Sequence, residues 1–222
     1  MMKLCYNPMS PYVRKCTVLI EEVGLGNRIE RVLTHPWAEF TDIHTVNPLG
    51  KVPALILEDG SGLHDSAVIC EYLDSLHGGP KMFPAPGKAR WTAIRRQSMG
   101  GGIVDAGGDA VREQRRVEHE RSPGWIVRQM AAVDRCLDEL EREAPTFGGI
   151  DIGLISIGIG LGFMDFRHPD HDWRASRPNL AAWFTTVLER PSFASTVPEE
   201  WIPEDGGRLN TWTGWPREAA AS

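Results

Sequence analysis

The chain has 222 residues, of which 24 are Lys or Arg and 30 are Asp or Glu, so its formal net charge is −6. This balance argues against nucleic acid or an anionic membrane as the main partner, because both attract basic surfaces. With 41% hydrophobic and 24% charged residues, the composition is that of a globular chain long enough for a real core. The N-terminus lacks the apolar stretch of a secretory signal, and the longest apolar segment, residues 150–166, is too short and interrupted to span a bilayer.

The cysteines and histidines do not show the spacing of a metal site. Four cysteines stand far apart without a CxxC pair, which favours reduced thiols in the core of a cytoplasmic protein. Residues 168–172 (HPDHD) have the composition of a metal cluster but lie next to a proline with no second group of ligands. We therefore expect a solvated loop at residues 168–172 and no metal.

The first 76 residues alternate between strand-like and helix-like patterns. Strands are predicted at residues 3–6, 28–33, 52–57 and 62–64, and helices at residues 11–23 and 66–76. Gly24 is expected to end the first helix, and Asp59-Gly60-Ser61 is typical of a hairpin turn. The predicted order is β-α-β, an irregular segment, then β-β-α.

Strand signals end at a segment rich in Gly and Pro. Beyond it, helices are predicted at residues 89–116, 123–143, 151–166 and 178–189. Three of the eight tryptophans fall in the tail, which we expect to lie over the helices without regular structure. The predicted organisation is an α/β domain at residues 1–78, a linker at 79–88, an all-α domain at 89–198 and an irregular tail at 199–222.

Ser10, at the start of the first predicted helix, has two possible roles. Ser followed by Pro11 is the ordinary pattern of a helix N-cap with proline at the first helical position. A hydroxyl at the positive end of a helix is also suited to hold a thiolate. Both interpretations remain open at this point.

Pro53 opens a strand that otherwise has the pattern of a central one, which is unusual because proline cannot donate to a sheet. A cis bond between Val52 and Pro53 resolves this, since it turns the Val52 N–H and C=O outward to pair with an extended peptide. A plain strand start with a trans bond is about equally compatible with the residues.

Asp65 and Ser66 stand at the start of the second predicted helix, where they form its expected N-cap. The same pair also suits an α-amino-acid head group. Ser66 and the free helix N–H groups then hold the carboxylate, and Asp65 holds the ammonium.

Three motifs in order resemble the glutathione-binding domain of cytosolic glutathione transferases: Ser-Pro-Tyr at residues 10–12, NPLGKVPAL at 47–55, and Asp-Ser-x-x-Ile-x-x-Tyr-Leu at 65–73. In the helical half, GGIVDA at 101–106 and GFMDFR at 162–167 are similar to a bacterial branch of that superfamily. The resemblance covers roughly residues 2–198. It implies an α/β thioredoxin-like N-terminal domain followed by an all-α domain.

The resemblance also implies site residues. Ser10 stands where serine-type members keep the hydroxyl that binds the glutathione sulfur. Lys51 is implied for the glycyl carboxylate, Val52 for the cysteinyl backbone and Pro53 as its cis neighbour. Asp65 and Ser66 are implied for the γ-glutamyl head. Asp105 is implied to approach the ligand of a neighbouring subunit. In the helical half, family members usually cap the central helix with Ser or Thr three residues before Asp, so Gly148 is expected at the cap before Asp151.

The implied function is a cytoplasmic, homodimeric glutathione transferase that conjugates glutathione to a small electrophilic or hydrophobic substrate in detoxification. Two alternatives stay open. One is a stress protein that binds glutathione or a hydrophobic ligand without turnover, and the other is a disulfide reductase that uses two glutathiones. A Ser10 hydroxyl directed at the glutathione sulfur favours the transferase, and a Ser10 that only caps its helix favours the binding protein.

Overall fold

A computed structural model describes residues 1–38 and 41–201. Four strands form one mixed sheet in the order β2-β1-β3-β4, with β2 parallel to β1 and the other neighbours antiparallel. Seven helices accompany it in this part of the chain. The strands are β1 (Met2–Tyr6), β2 (Ile29–Leu33), β3 (Ala54–Ile56) and β4 (Gly62–Leu63), and the helices are α1 (Pro11–Glu22), α2 (Ser66–Ser75), α3 (Lys88–Gln114), α4 (Pro123–Glu143), α5 (Ile152–Arg167), α6 (Pro178–Leu188) and α7 (Pro191–Ala194).

The predicted fold class is confirmed: a thioredoxin-like α/β unit is followed, up to Trp201, by helices without strands. The order β-α-β, irregular segment, β-β-α is also as predicted. Gly24 has a φ of +69°, a conformation that glycine adopts without steric cost, and it follows the end of α1 as expected. The short helix α7 was not predicted, because four residues carry too little periodicity to be recognised.

β2, β3 and β4 are shorter than the sequence predicts, whereas β1 is one residue longer. β3 begins at Ala54, after Pro53, which has no N–H to donate to a ladder. It ends at Ile56, because the next N–H, that of Leu57, bonds the Ser61 carbonyl at 2.8 Å across the hairpin turn. β2 begins one residue late because a turn of 3₁₀-helix, Gly26–Arg28, precedes it.

The predicted cap of the central helix α5 is wrong. Asp151, and not Gly148, is its N-cap residue, and the Asp151 carboxylate accepts a hydrogen bond of 2.8 Å from the Leu154 N–H. Asp has a side-chain acceptor for a free helix N–H and Gly has none, so the carboxylate takes the position.

Helix α5 is buried along most of its length and packs most extensively against α3. Glycine permits this close approach, since a Cβ atom added to Gly100 would lie 2.3 Å from the Ser156 backbone. The contact orients α5 so that Ile159 and Phe163 project towards the start of α1.

Helix α1 joins the α/β unit to the helices. Near its end, the Glu22 carboxylate accepts hydrogen bonds from the Arg190 guanidinium at 2.7 and 2.8 Å and from the Ser192 hydroxyl at 2.5 Å. This network fixes α1 against α7.

The predicted tail lies mostly outside the described residues, which end at Trp201. Glu200 pairs with Arg167 of α5, while the Trp201 ring lies 5.6 Å from the His35 ring in the α/β unit. The described start of the tail therefore meets both parts of the molecule. Within the described residues, no helix combines the length and apolar character needed to cross a bilayer.

Candidate functional site

The sheet brings three predicted site segments to one edge. Cys5, near the end of β1, is paired with Ala54 at the start of β3, and Leu63 at the end of β4 is paired with Leu55. The chain therefore leaves β1 towards Ser10, enters β3 from Pro53, and leaves β4 towards Asp65 at the same edge. Segments separated by more than 50 residues are thus neighbours in space.

Ser10 is the N-cap of α1, as one of its two interpretations predicted. Its hydroxyl oxygen accepts a hydrogen bond of 3.3 Å from the Val13 N–H, and Pro11 occupies the first helical position. The half-buried Ser10 also lines a cleft between α1 and α5.

The cleft is open to solvent. Ser10 and Arg14 are its polar side chains, and six apolar residues complete its wall: Met9, Pro11, Ile159, Phe163, Phe166 and Pro198. An apolar cleft with few polar groups is the usual form of a small-molecule site.

The loop before β3 is organised by a buried amide. The Asn47 side chain donates a 2.7 Å hydrogen bond to the Lys51 carbonyl and accepts one of 3.0 Å from the Leu49 N–H. Lys51 is exposed, and the bond between Val52 and Pro53 is cis, as one prediction held. Asn47 precedes a proline, a position typical of a turn former, but the sequence did not indicate its two hydrogen bonds.

Asp65 caps α2, and its carboxylate accepts a 2.8 Å hydrogen bond from the Ala67 N–H. Asp65 is exposed, whereas Ser66 is only 3% exposed. The bond between His64 and Asp65 is a second cis peptide, which the sequence did not indicate. Ser10 lines the cleft, and the five predicted glutathione-binding residues from Lys51 to Ser66 are not among its lining residues.

Asp105 lies on α3 and contacts the same chain: the Tyr12 hydroxyl donates a hydrogen bond to its carboxylate. Burial, together with this carboxylate, raises the pKa of Tyr12 above its ordinary value, so the phenol stays neutral and remains a donor. The sequence reasoning did not foresee this bond, since 93 residues separate its partners.

Arg14 was also missed. It lies four residues after Ser10, the spacing that places two residues on one helix face, and that spacing was the available signal. Arg14 is 6% exposed and lines the cleft beside Ser10.

Burial raises the pKa of three cysteine thiols, those of Cys5, Cys16 and Cys136. The buried Cys16 and Cys70 sulfurs lie 3.9 Å apart without a disulfide, and burial raises the pKa of Cys16 well above its ordinary value. Cys5, Cys16 and Cys70 are buried in the core as predicted, whereas Cys136 is only partly buried.

The expected solvated loop at residues 168–172 is partly wrong, because His168 is buried and its Nε2 lies 3.0 Å from the Gly107 carbonyl oxygen. His171 instead contacts Asp134 at 3.1 Å. The two histidines have different partners. Across residues 1–38 and 41–201, no three His, Cys, Asp or Glu side chains are grouped as metal ligands.

Family models match both halves of the chain: "Glutathione S-transferase, N-terminal domain" over residues 9–76 and "Glutathione S-transferase, C-terminal domain" over residues 109–186. The Escherichia coli (strain K12) protein "Uncharacterized GST-like protein YibF" is 32% identical over 201 residues, which are 89% of this chain and 98% of that relative. The chain belongs to the glutathione S-transferase family.

Solved structures agree. A glutathione transferase family member from Pseudomonas fluorescens Pf-5 is 38% identical and was crystallised with glutathione (TM-score 0.84) and with S-(propanoic acid)-glutathione (TM-score 0.83); each alignment covers 90% of this chain and 100% of that one. A glutathione S-transferase from Methylobacillus flagellatus KT with bound glutathione is 32% identical, with a TM-score of 0.86 and coverage of 90% and 100%.

Proposed function

We propose that this protein is a glutathione transferase that binds glutathione as a thiolate and conjugates it to a small electrophile. The observation that carries the proposal is Ser10, which stands at the N-terminus of α1 and at the same time lines an apolar cleft facing α5. Family membership supports it, and so do the relatives that hold glutathione or an S-substituted glutathione.

Capping the helix and holding a thiolate are compatible roles for Ser10. A serine hydroxyl has one donor and two acceptor lone pairs. The bond from the Val13 N–H uses one lone pair, so the O–H is left to donate to a sulfur in the cleft. The cap observed at Ser10 therefore does not favour a binding protein over an enzyme.

The proposed mechanism stabilises negative charge on sulfur. An ordinary thiol has a pKa of about 8.5, and only a few per cent of it is thiolate at neutral pH. A hydrogen bond from Ser10 and the positive end of α1 both favour the thiolate. A decrease of about two pKa units corresponds to roughly 2.7 kcal/mol, which these two interactions together can supply. The thiolate then attacks an electrophilic carbon held against α5, and the leaving group departs with the bonding electron pair.

The other predicted glutathione-binding residues lie in the segments that meet at one edge of the sheet, and we propose a role for each. We propose that the Val52 backbone pairs with the cysteinyl unit beside cis Pro53, and that Lys51 binds the glycyl carboxylate. Asp65 and Ser66 bind the γ-glutamyl head. One Asp65 oxygen accepts the hydrogen bond from the Ala67 N–H, and the other faces the ammonium group.

We also propose that the chain acts as a homodimer in the cytoplasm. Its four cysteines are free, which suits a compartment that keeps glutathione reduced. Asp105 is exposed and uses one oxygen for Tyr12, so the other oxygen is available to a ligand of the neighbouring subunit.

The test is the ultraviolet absorbance of bound glutathione thiolate as a function of pH, for the wild type, Ser10→Ala and Ser122→Ala. Ser122 is a matched control, because it caps α4 before a proline with the same 3.3 Å bond and is not a lining residue of the cleft. We expect the wild type and Ser122→Ala to share a thiolate pKa well below that of free glutathione, and Ser10→Ala to lose most of this decrease. Glutathione that binds with an unchanged pKa would refute the transferase mechanism and leave a binding protein as the better account.

A further inference from the structure

Arg14 is buried, and its hydrogen-bond partners are uncharged. Its Nη2 donates to the Phe193 carbonyl at 3.2 Å, and its Nε donates to the Thr196 hydroxyl at 3.5 Å. A guanidinium has five N–H donors, so these bonds leave three of them uncommitted. Neither partner carries a charge that would compensate the buried cation.

The other two buried arginines of the described chain each pair with a carboxylate. Arg96 pairs with Glu143 at 2.9 Å, and Arg177 pairs with Asp138 at 2.7 Å. No described carboxylate lies within 4.0 Å of Arg14. A buried charge is normally paired, because removing it from water is costly. Within residues 1–38 and 41–201, Arg14 therefore has no carboxylate to balance its buried charge.

Arg14 keeps its positive charge despite its burial. Burial lowers the pKa of Arg14 to about 10. The side chain is still a cation at neutral pH. The apolar wall of the cleft strengthens its attraction to an anion, since a low local dielectric weakens screening.

We propose that the electrophile bound in this cleft carries a carboxylate, which pairs with the Arg14 guanidinium while the reactive carbon faces the sulfur at Ser10. The proposal rests on the proposed transferase function and names its substrate class: small, mainly apolar acids with an electrophilic carbon. With a halogenated alkanoate, the sulfur–carbon bond forms as the carbon–halogen bond breaks, and the halide leaves with the electron pair.

Position supports this arrangement. Ser10 and Arg14 lie one helical turn apart on the same side of α1, so a short chain of carbon atoms spans the distance between the sulfur and the guanidinium. Gly162 of α5 gives Arg14 its room, because a Cβ there would lie 2.6 Å from the Arg14 Nη1.

The alternative is that Arg14 only ties α1 to α7 through Phe193 and Thr196. Such a role predicts a loss of stability on substitution but no preference between a charged and a neutral ligand. The discriminating measurement is therefore the ratio of two affinities and not activity alone.

The experiment compares S-(2-carboxyethyl)glutathione with its neutral amide, S-(2-carbamoylethyl)glutathione, by calorimetric titration, with glutathione itself titrated in parallel. We expect the wild type to bind the carboxylate at least about tenfold more tightly than the amide, as a charge-assisted contact requires. Arg14→Gln should abolish this preference and Arg14→Lys should keep part of it. Arg128→Gln, which removes an exposed cation on α4, should leave it unchanged.

Equal affinity of the wild type for the two conjugates would overturn the proposal, as would a preference that survives in Arg14→Gln. If Arg14→Gln does not fold, the test uses the wild type alone. Its kcat/KM is measured for 3-bromopropanoate and for 3-bromopropanamide, each value is divided by the uncatalysed rate with glutathione, and the ratio of the two results is taken. A ratio of one overturns the proposal. Failure of glutathione itself to bind would instead refute the proposed function, so the two failures are distinguishable.

Discussion

Replacing Gly100 by alanine tests how closely α3 must approach α5. The added Cβ would lie 2.3 Å from the carbonyl carbon and oxygen of Ser156 and 2.6 Å from the Ile157 nitrogen, whereas ordinary contacts are 3.4–4 Å. These are backbone atoms that no side-chain rotation can move, so the two helices must separate by about 1 Å.

The expected cost follows from two opposing effects. Overpacking of a core costs about 1–3 kcal/mol, and a clash with backbone belongs at the upper end. Alanine is a better helix former than glycine by about 1 kcal/mol. The net loss for Gly100→Ala is therefore about 2 kcal/mol, or a decrease in Tm of roughly 4–8 °C for a chain of this size.

Gly102→Ala is the matched control, because it lies two residues away in the same helix with nothing within 4 Å of the added Cβ. It should gain up to about 1 kcal/mol from helix propensity alone. The assay is calorimetric unfolding of the full chain, wild type and both variants. If Gly100→Ala is as stable as the wild type, or if both variants shift Tm in the same direction, the contact between α3 and α5 is not as close as described.

Two further predictions concern stability. Asp151→Ala should lower the free energy of unfolding by about 1 kcal/mol, because the Leu154 N–H of α5 loses its acceptor. Gly148→Ala is the control and should change the free energy of unfolding by less than about 0.5 kcal/mol. Equal losses for the two variants in urea unfolding would contradict the assignment of the cap to Asp151. The hydrogen bonds from Arg190, with help from Ser192, hold the pKa of Glu22 below its ordinary value of 4.5. Their contribution is present in full above that pH and is lost as pH falls through the lower, folded-state pKa. Stability should therefore fall less steeply below about pH 5 in Glu22→Gln than in the wild type, and parallel profiles in urea titrations at several pH values would refute it.

Local signals were enough for the order of the four strands and the six longer helices. The apolar periodicity of residues 123–143 predicted α4 to the residue, because a long amphipathic helix repeats its signal many times. Pro53 left a cis and a trans bond about equally compatible with the residues, because proline cannot donate to a sheet in either case, and the structure has the cis bond. Helix ends were less predictable, as at α5, where Asp151 displaced Gly148.

The site as an arrangement depended on tertiary structure. The sequence by itself determined that Ser10 begins a helix and that Asp65 begins another, since caps are read from a few adjacent residues. Only the sheet register brought these segments to one edge. Only the packing of α5 and α7 against α1 left Arg14 buried with no carboxylate beside it in the part of the chain that the structure describes. The physical reason is that the pairing of a buried charge depends on all the elements packed around it, and those elements are distant from Arg14 in the chain.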